Sequence, residues 1–254
     1  ARTILGAARA ARGMPGADPR AMSHSWLFTG PPGSGRSLAA IDFAAALMCT
    51  DPEEPGCGRC EACRAVLETK QHTDLVLVDP QEVIIPVDTV REVIGRAASL
   101  PTVAPWRVVI FNNADRLNNN GANALLKTVE EPPARTVIIM CAPSDAPEDF
   151  SQTLRSRCRH LYIPSPSVES ITAQLVSEGA SDHDAHLAAL TSLRHVGRAR
   201  RLVNDPAVQK RRAVAINLAE EVFHGSQGFQ AVTSLLKLVD SEAKESHKEQ
   251  EEAE

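Results

Sequence analysis

One segment of the chain constrains its fold more than any other: Gly30-Pro31-Pro32-Gly33-Ser34-Gly35-Arg36-Ser37. It follows the short apolar run Trp26-Leu27-Phe28 and opens the Ala-rich, helically spaced stretch Leu38 to Met48. A glycine-rich turn between strand and helix aims backbone N–H groups into one concavity, and the helix N-terminus adds positive potential there. The spacing is that of G-x-x-x-x-G-K-[ST], with Arg36 in place of the lysine and Ser37 where a hydroxyl would meet Mg²⁺. The context predicts a phosphate loop built from Gly30, Gly33, Gly35, Arg36 and Ser37. A glycine-rich turn that merely caps a helix is the alternative.

The surrounding pattern agrees. Leu75–Val78, Val108–Phe111, Thr136–Met140 and His160–Ile163 are short, continuously apolar or β-rich runs, and the stretches Val87–Leu100 and Ala122–Val129 between them are helical. Strands of this kind separated by helices argue for a parallel sheet covered on both faces. After Pro164-Ser165-Pro166 no β-rich run follows, and residues 168–179, 184–193, 197–204 and 207–223 all read as helices. The expected organisation is an α/β phosphate-loop domain over 1–165, a small all-α domain over 166–238 and an acidic segment over 239–254, with nothing globular after residue 240.

Charge and cysteine content narrow the setting. The chain is 43% apolar, which excludes a disordered chain, and no apolar run reaches the ~20 residues of a membrane helix. Residues 1–20 lack the apolar core of a secretory signal, so a cytoplasmic protein with no membrane partner is expected. Residues 240–254 hold seven acidic side chains against two lysines and account for the whole net charge of −5. Arg194, Arg198, Arg200, Arg201, Lys210, Arg211 and Arg212 form a basic cluster facing only Asp205. Whole-chain charge therefore neither favours nor excludes a nucleic-acid partner.

Cys49, Cys57, Cys60 and Cys63 follow C-x7-C-x2-C-x2-C across a Pro/Gly loop. Two overlapping C-x2-C units let four thiolates converge on one tetrahedral ion, and zinc is the default for such a set. A redox pair, an iron–sulfur cluster and four unrelated thiols are the competing readings. No His or Asp stands ready to activate water at an open position, so a structural zinc is expected. Cys141, inside a strand run, is expected to be a small buried hydrophobe.

The phosphate loop departs from an ATPase in its supporting residues. In such enzymes a carboxylate at the end of an apolar strand holds Mg²⁺. Here the strand Val108–Phe111 ends in Asn112-Asn113, where an Asp and a Glu would sit, and Asp115 is expected in a cap or turn. An amide carries no charge for the metal and cannot act as a general base. With Arg36 for lysine, three departures point to a loop that has given up hydrolysis. Further on, Arg155, Arg157 and Arg159 crowd the turn Leu154–Arg159 before the last strand, and must face solvent or an anion. Composition alone leaves these two readings level; Cys158 reads as a buried neighbour of the sheet.

Taken together, the phosphate loop, the four-Cys insertion after its helix, Asn123-Ala124-Leu125-Leu126-Lys127-Thr128-Val129-Glu130-Glu131-Pro132-Pro133 and Ser156-Arg157-Cys158 resemble the bacterial DNA polymerase III clamp-loader subunits of the AAA+ family. The resemblance covers about residues 1–238. Motor members, gamma and tau, carry an intact phosphate loop and an Asp-Glu pair; with Arg36, Asn112 and Asn113 this chain is more similar to the non-hydrolysing delta-prime branch. The resemblance implies a RecA-like AAA+ domain, a helical lid, and a collar that would build a hetero-pentamer with gamma/tau and delta and that is not expected in this chain. It implies that the complex acts on the sliding clamp and primer-template DNA in replication. It implies an arginine finger at Arg157, offered in trans to a neighbour's ATP, a second sensor at Arg198, and a first sensor at Ser144 or Asp145. Whether ATP or ADP still binds is left open. A gamma/tau-like active ATPase and a zinc-dependent nucleic-acid-binding module are the competing functions; Asn112 and Asn113 weigh against the first, and few aromatics near the basic cluster weigh against the second.

Overall fold

The structure is a computed structural model that describes residues 2–80, 82–224, 229, 232, 233, 236, 237, 239 and 240. It divides into two compact units, Ala1–Ser165 and Pro166–Glu254. The acidic run expected over 239–254 lies, apart from 239 and 240, outside the described residues.

In the first unit five strands, β1 (Ser25–Thr29), β2 (Leu75–Val78), β3 (Arg107–Phe111), β4 (Thr136–Ala142) and β5 (Arg159–Tyr162), form one sheet in the order β2-β3-β4-β1-β5. Every pairing is parallel, with Leu27 opposite both Met140 and His160. Parallel neighbours need long crossovers. These are α2 (Arg36–Met48), α4 (Val87–Ala97), α5 (Asn119–Glu130) and the single turn α6 (Gln152–Arg155). An N-terminal helix α1 (Arg2–Ala11), which the sequence reading left unassigned, and the short α3 (Glu61–Arg64) complete the unit.

Alternate side chains of each strand enter separate cores, which is why the strands read as unbroken apolar runs. On one face Trp26, Phe28, Ile110 and Ile139 pack with Phe43 and Leu47 of α2, with Ala7 and Ala8 of α1 in the same cluster. The Trp26 and Phe43 rings meet edge to face at 5.2 Å. On the other face Leu27, Val109, Phe111, Ile138 and Met140 pack with Val90 and Val93 of α4, Leu125 and Val129 of α5 and Leu154 of α6. The expected α/β sheet covered on both faces is therefore what the chain forms. Helix boundaries moved by a few residues: α5 begins at Asn119, three residues before the apolar pattern, because Asn118 caps it by accepting from Gly121 N–H at 2.8 Å.

One buried ion pair ties the edge of this sheet to α4. Asp74, fully buried before β2, accepts from the backbone N–H groups of Thr102, Val103 and Ala104 at 2.8, 2.7 and 2.9 Å, and from Arg107 Nη2 at 2.9 Å. Arg107 Nη1 in turn donates to the carbonyls of Arg96 and Ser99 at 2.6 and 3.0 Å. The second unit contains α7 (Val168–Ser177), α8 (Asp182–Thr191), α9 (Val196–Asn204) and α10 (Pro206–His224). Ile171, Leu175, Ala185, Ala188, Ala189 and Ala199 form its core. Ser167 and Ser181 cap α7 and α8 through their hydroxyls.

Burial pushes the Asp74 carboxyl upward, but the three backbone N–H groups and Arg107 outweigh it and hold the group well below the usual carboxylate range. A depressed folded-state pKa stabilises above the unfolded value of about 4, and the stabilisation is lost as pH falls toward the folded value. Asp74→Ala, which strands Arg107 in the interior, is expected to cost about 3–5 kcal/mol at pH 7. Urea unfolding of wild type and variant between pH 7 and pH 2.5 should show the difference shrinking as pH drops; a constant difference would refute this account.

Candidate functional site

The glycine loop leaves the C-terminal end of β1, beside β4, where the strand order reverses, the position at which open α/β sheets bind ligands. Two glycines are required by geometry. Gly30 has φ +156°, and a Cβ there would lie 2.1 Å from the carbonyl oxygen of Ile163 and 2.7 Å from Ser34 Oγ. Gly35 is the N-cap of α2 at φ +93°, where L side chains are strained. Gly33 also has positive φ. The 13-residue helix α2 then starts at Arg36, with Ser37 exposed in its first turn.

Three buried polar atoms of this region, Ser34 Oγ, Arg36 Nη1 and Asn112 Oδ1, have no hydrogen-bond partner among the described residues. The donors Ser34 Oγ and Arg36 Nη1 call for an anion or water, and the acceptor Asn112 Oδ1 for a donor such as water. Burial pulls the Arg36 guanidinium below its ordinary value, opposed by charge interactions with Cys141, Asp115 and Asp149. The donors fit a phosphate group, held by the loop's N–H groups and Arg36. Asn112 directly follows β3, buried, with its N–H on the Val78 carbonyl at 2.9 Å. Asn113 is twisted to φ +53°, and Asp115 lies in the following 3-10 turn. Cys141 is buried in β4, its thiol pushed up to about 12 chiefly by burial, as suits a core residue.

The four insertion cysteines converge. Cys49 ends α2, Cys60 caps α3, Cys63 lies within α3 and Cys57 sits in the loop between, and all four sulfurs lie within 4.8 Å of one another. The Cys60 and Cys49 sulfurs are 3.9 Å apart, close to the ~3.8 Å edge of a tetrahedron with metal–sulfur bonds near 2.3 Å. Backbone N–H groups of Arg59 and Cys60 point at Cys57 Sγ, and that of Cys63 at Cys60 Sγ, each at 3.4 Å. These donors favour thiolate. They pull the Cys57 thiol down; at Cys60 burial pushes upward, but N–H groups of Thr50 and Cys63 win and bring it to about 6. Cys63, more enclosed, is pushed up by burial. The cluster can hold a metal ion, and it would serve as a cross-link between α2 and α3.

At the turn before β5, each arginine has its own surroundings. Arg155 is half-buried, with Nε 3.0 Å from Asp145 Oδ2. Asp145 lies 3.7 Å from His160 Nδ1, and His160 Nε2 meets Thr29 Oγ1 at 2.6 Å. Ser144 Oγ donates to Asp149 at 2.7 Å. Arg159 lies 5.2 Å over the Trp26 ring and donates to the carbonyls of Arg20 and Ala21 at 2.8 Å each. Arg157 is exposed; its Nε donates to Glu130 and its Nη1 to the Thr153 carbonyl at 2.7 Å. Cys158 packs against the core beside it, its thiol pushed up to about 12 chiefly by burial. Sequence reasoning separated Arg157 from Glu130 and found no link between Thr29, His160, Asp145 and Arg155. Arg198 belongs to the second unit, exposed in the first turn of α9, where its N–H meets the capping His195 Nδ1 at 3.3 Å. Arg200 of the basic cluster is paired with Glu178 at 2.8 and 2.6 Å.

A parallel sheet in this order, with a glycine loop at its reversal point and a four-Cys insertion after the loop's helix, defines a phosphate-loop domain of the AAA+ class. The family model described as DNA polymerase III, delta subunit, matches residues 17–167. The chain is 35% identical over 165 residues to the DNA polymerase III subunit delta' of Pseudomonas aeruginosa, a match covering 62% of this chain and 49% of that protein. It is 34% identical over 170 residues to the delta' subunit of Escherichia coli, covering 66% and 50%. Against the gamma/tau subunit of Mycobacterium tuberculosis it is 33% identical over 170 residues, covering 65% and 29%. The chain belongs to the DNA polymerase III delta-prime family of clamp-loader subunits. It spans about half the length of the two delta' relatives.

If the cysteines hold zinc, elemental analysis of fresh protein should give about one zinc per chain. Chelation should speed amide exchange in residues 49–63 while leaving β1 and β3 protected. Cys60→Ser should lower the zinc content and reproduce that local loosening; full zinc occupancy in Cys60→Ser would refute the ligand assignment.

Proposed function

We propose that this chain is a non-hydrolysing subunit of a DNA polymerase III clamp loader, and that it supplies Arg157 in trans to ATP held by an adjacent motor subunit. The observation that carries the first half is Asn112 at the end of β3. Mg²⁺ needs an anionic ligand there, and the amide offers none. Arg36 keeps a positive charge at the loop but presents a planar fork rather than a compact ammonium. Phosphate binding by Gly30, Gly33, Gly35, Arg36 and Ser37 is compatible with the unpartnered donors Ser34 Oγ and Arg36 Nη1; hydrolysis lacks an anionic ligand for Mg²⁺.

The second half rests on the Ser156-Arg157-Cys158 resemblance, together with the exposure of Arg157 on a turn anchored from below by Leu154 and Cys158. A guanidinium delivered across an interface stabilises charge on the γ-phosphoryl group as it transfers. The partners implied by the family are gamma/tau and delta subunits in a hetero-pentamer that loads the sliding clamp onto primer-template DNA in the cytoplasm. Arg198 would act as a second sensor for nucleotide in this chain's own loop, and the Cys49/Cys57/Cys60/Cys63 ion would be zinc, with a structural role.

The test is a reconstituted clamp loader containing the full-length protein. Arg157→Ala should leave assembly intact and slow hydrolysis at the adjacent site by ~10³-fold or more, diluted in the whole-complex rate by sites Arg157 does not reach. Equal ATPase and clamp-loading rates for wild-type and Arg157→Ala complexes would end the finger reading. Arg159→Ala should instead lower stability, through loss of the Trp26 stack, while sparing ATPase per assembled complex.

Arg36→Lys in the isolated chain should yield no ATP turnover, because Asn112 still leaves Mg²⁺ unsupported. Steady turnover by that single variant would overturn the argument from the missing carboxylate.

A further inference from the structure

A carboxylate at the last residue of a helix is electrostatically misplaced, because the C-terminal end of the helix dipole is negative. Glu130 occupies that place in α5, beside a second acid, Glu131, and ahead of Pro132-Pro133. Its compensation comes from 27 residues downstream: Glu130 Oε1 accepts from Arg157 Nε. Both side chains are solvent-accessible, 34% for Arg157 and 44% for Glu130, so the pair contributes little to folding stability. Stability alone therefore does not account for a carboxylate at this position.

The pair does fix a direction. Nη1 of Arg157 donates to the Thr153 carbonyl at 2.7 Å and to Ser156 Oγ at 3.2 Å, while Nε is held by Glu130. Nε–H and Nη1 lie on opposite edges of the planar fork, so Glu130 and the Thr153 carbonyl hold it from two sides. The frame that carries Glu130 is rigid. Val129 is buried, its carbonyl accepts from Ser25 Oγ of β1 at 3.2 Å, and Leu125 and Val129 share a core with Leu154 of α6. Two buried elements thus meet at the surface through the Glu130–Arg157 contact.

We propose that Glu130 is a positioning residue for Arg157: together with the Thr153 carbonyl it holds the guanidinium in one orientation before the neighbouring subunit's triphosphate arrives. A long arginine free in solvent would have to surrender its rotamer freedom at the interface. With Nε and Nη1 engaged in advance, less of that ordering remains for the transition state. This inference rests on the finger reading of Arg157 and extends it to a second residue on a different element.

The experiment compares five variants of the full-length protein, each reconstituted with its motor and delta subunits and matched for assembly: Glu130→Ala, Glu130→Gln, Glu130→Asp, Arg157→Ala and the double variant Glu130→Ala/Arg157→Ala. ATP is the probe, and steady-state hydrolysis is resolved into kcat and KM. Glu130→Ala should lower kcat on the order of tenfold with KM unchanged, since the lost contact matters only when the phosphoryl group transfers. Glu130→Gln keeps an oxygen for Nε–H at the same reach and should recover most of the rate. Glu130→Asp keeps the charge but withdraws the oxygen by one methylene, and should stay slow. The double variant Glu130→Ala/Arg157→Ala should match Arg157→Ala, because Glu130 acts through Arg157.

If Arg157→Ala is slow and Glu130→Ala runs at the wild-type rate, positioning is refuted and the finger stands. If Arg157→Ala itself runs at the wild-type rate, both fall. A double variant slower than Arg157→Ala would also refute positioning. Where Glu130→Ala does not assemble, the Asp and Gln variants decide: a slow Asp beside a near-wild-type Gln supports the proposal, and equal rates overturn it.

Discussion

The structure hangs on β1 and the few ångströms beyond its end. β1 lies between β4 and β5, buried along its whole length, and its last residues are locked on both sides: Gly30 N–H reaches the Pro143 carbonyl at 3.2 Å, and Ile163 N–H reaches the Thr29 carbonyl at 2.7 Å. The approach is so close that a methyl group at Gly30 would collide with the Ile163 backbone. That constraint sets where the glycine loop starts, hence where α2 points, hence where Arg36 and the cysteines beyond Met48 fall. It also anchors β5, and with it the arginine turn that precedes β5.

From this frame the chain carries two arginines in different settings. Arg36 is half-buried at the start of α2. Arg157 is exposed, in contact with Glu130 and the Thr153 carbonyl. Between them runs a polar chain from Thr29 through His160 and Asp145 to Arg155, within one unit of the protein. The glycine loop and the arginine turn thus share one scaffold, since both are anchored at the end of β1.

Much of this was legible in the sequence because it rests on local chemistry. The glycine spacing, the continuous apolar strands, the Cys spacing and the paired asparagines after Phe111 each follow from short-range rules of turn geometry, burial and charge. What escaped has a common cause. Helix α1 has no long apolar run to mark it, yet Ala7 and Ala8 are fully buried in the core cluster on one face of the sheet. Nothing in the local sequence marks Asp74; only the fold brings Arg107 and three loop N–H groups to it.

The sequence by itself determined the class of fold, the loop, the candidate metal ligands and the Asn112-Asn113 pair directly after β3, since each rests on local spacing, periodicity or residue identity. Only the tertiary structure decided which charges meet. Glu130 and Arg157 are 27 residues apart, on separate elements whose contact depends on Leu125, Val129 and Leu154 sharing one core. Arg155, Arg157 and Arg159 are indistinguishable by composition, yet one is tied to Asp145, one presented with Glu130 and one laid over Trp26. Ion pairs are chosen by distances of a few ångströms, and those distances are set by the packing of the cores beneath them rather than by the order of residues along the chain.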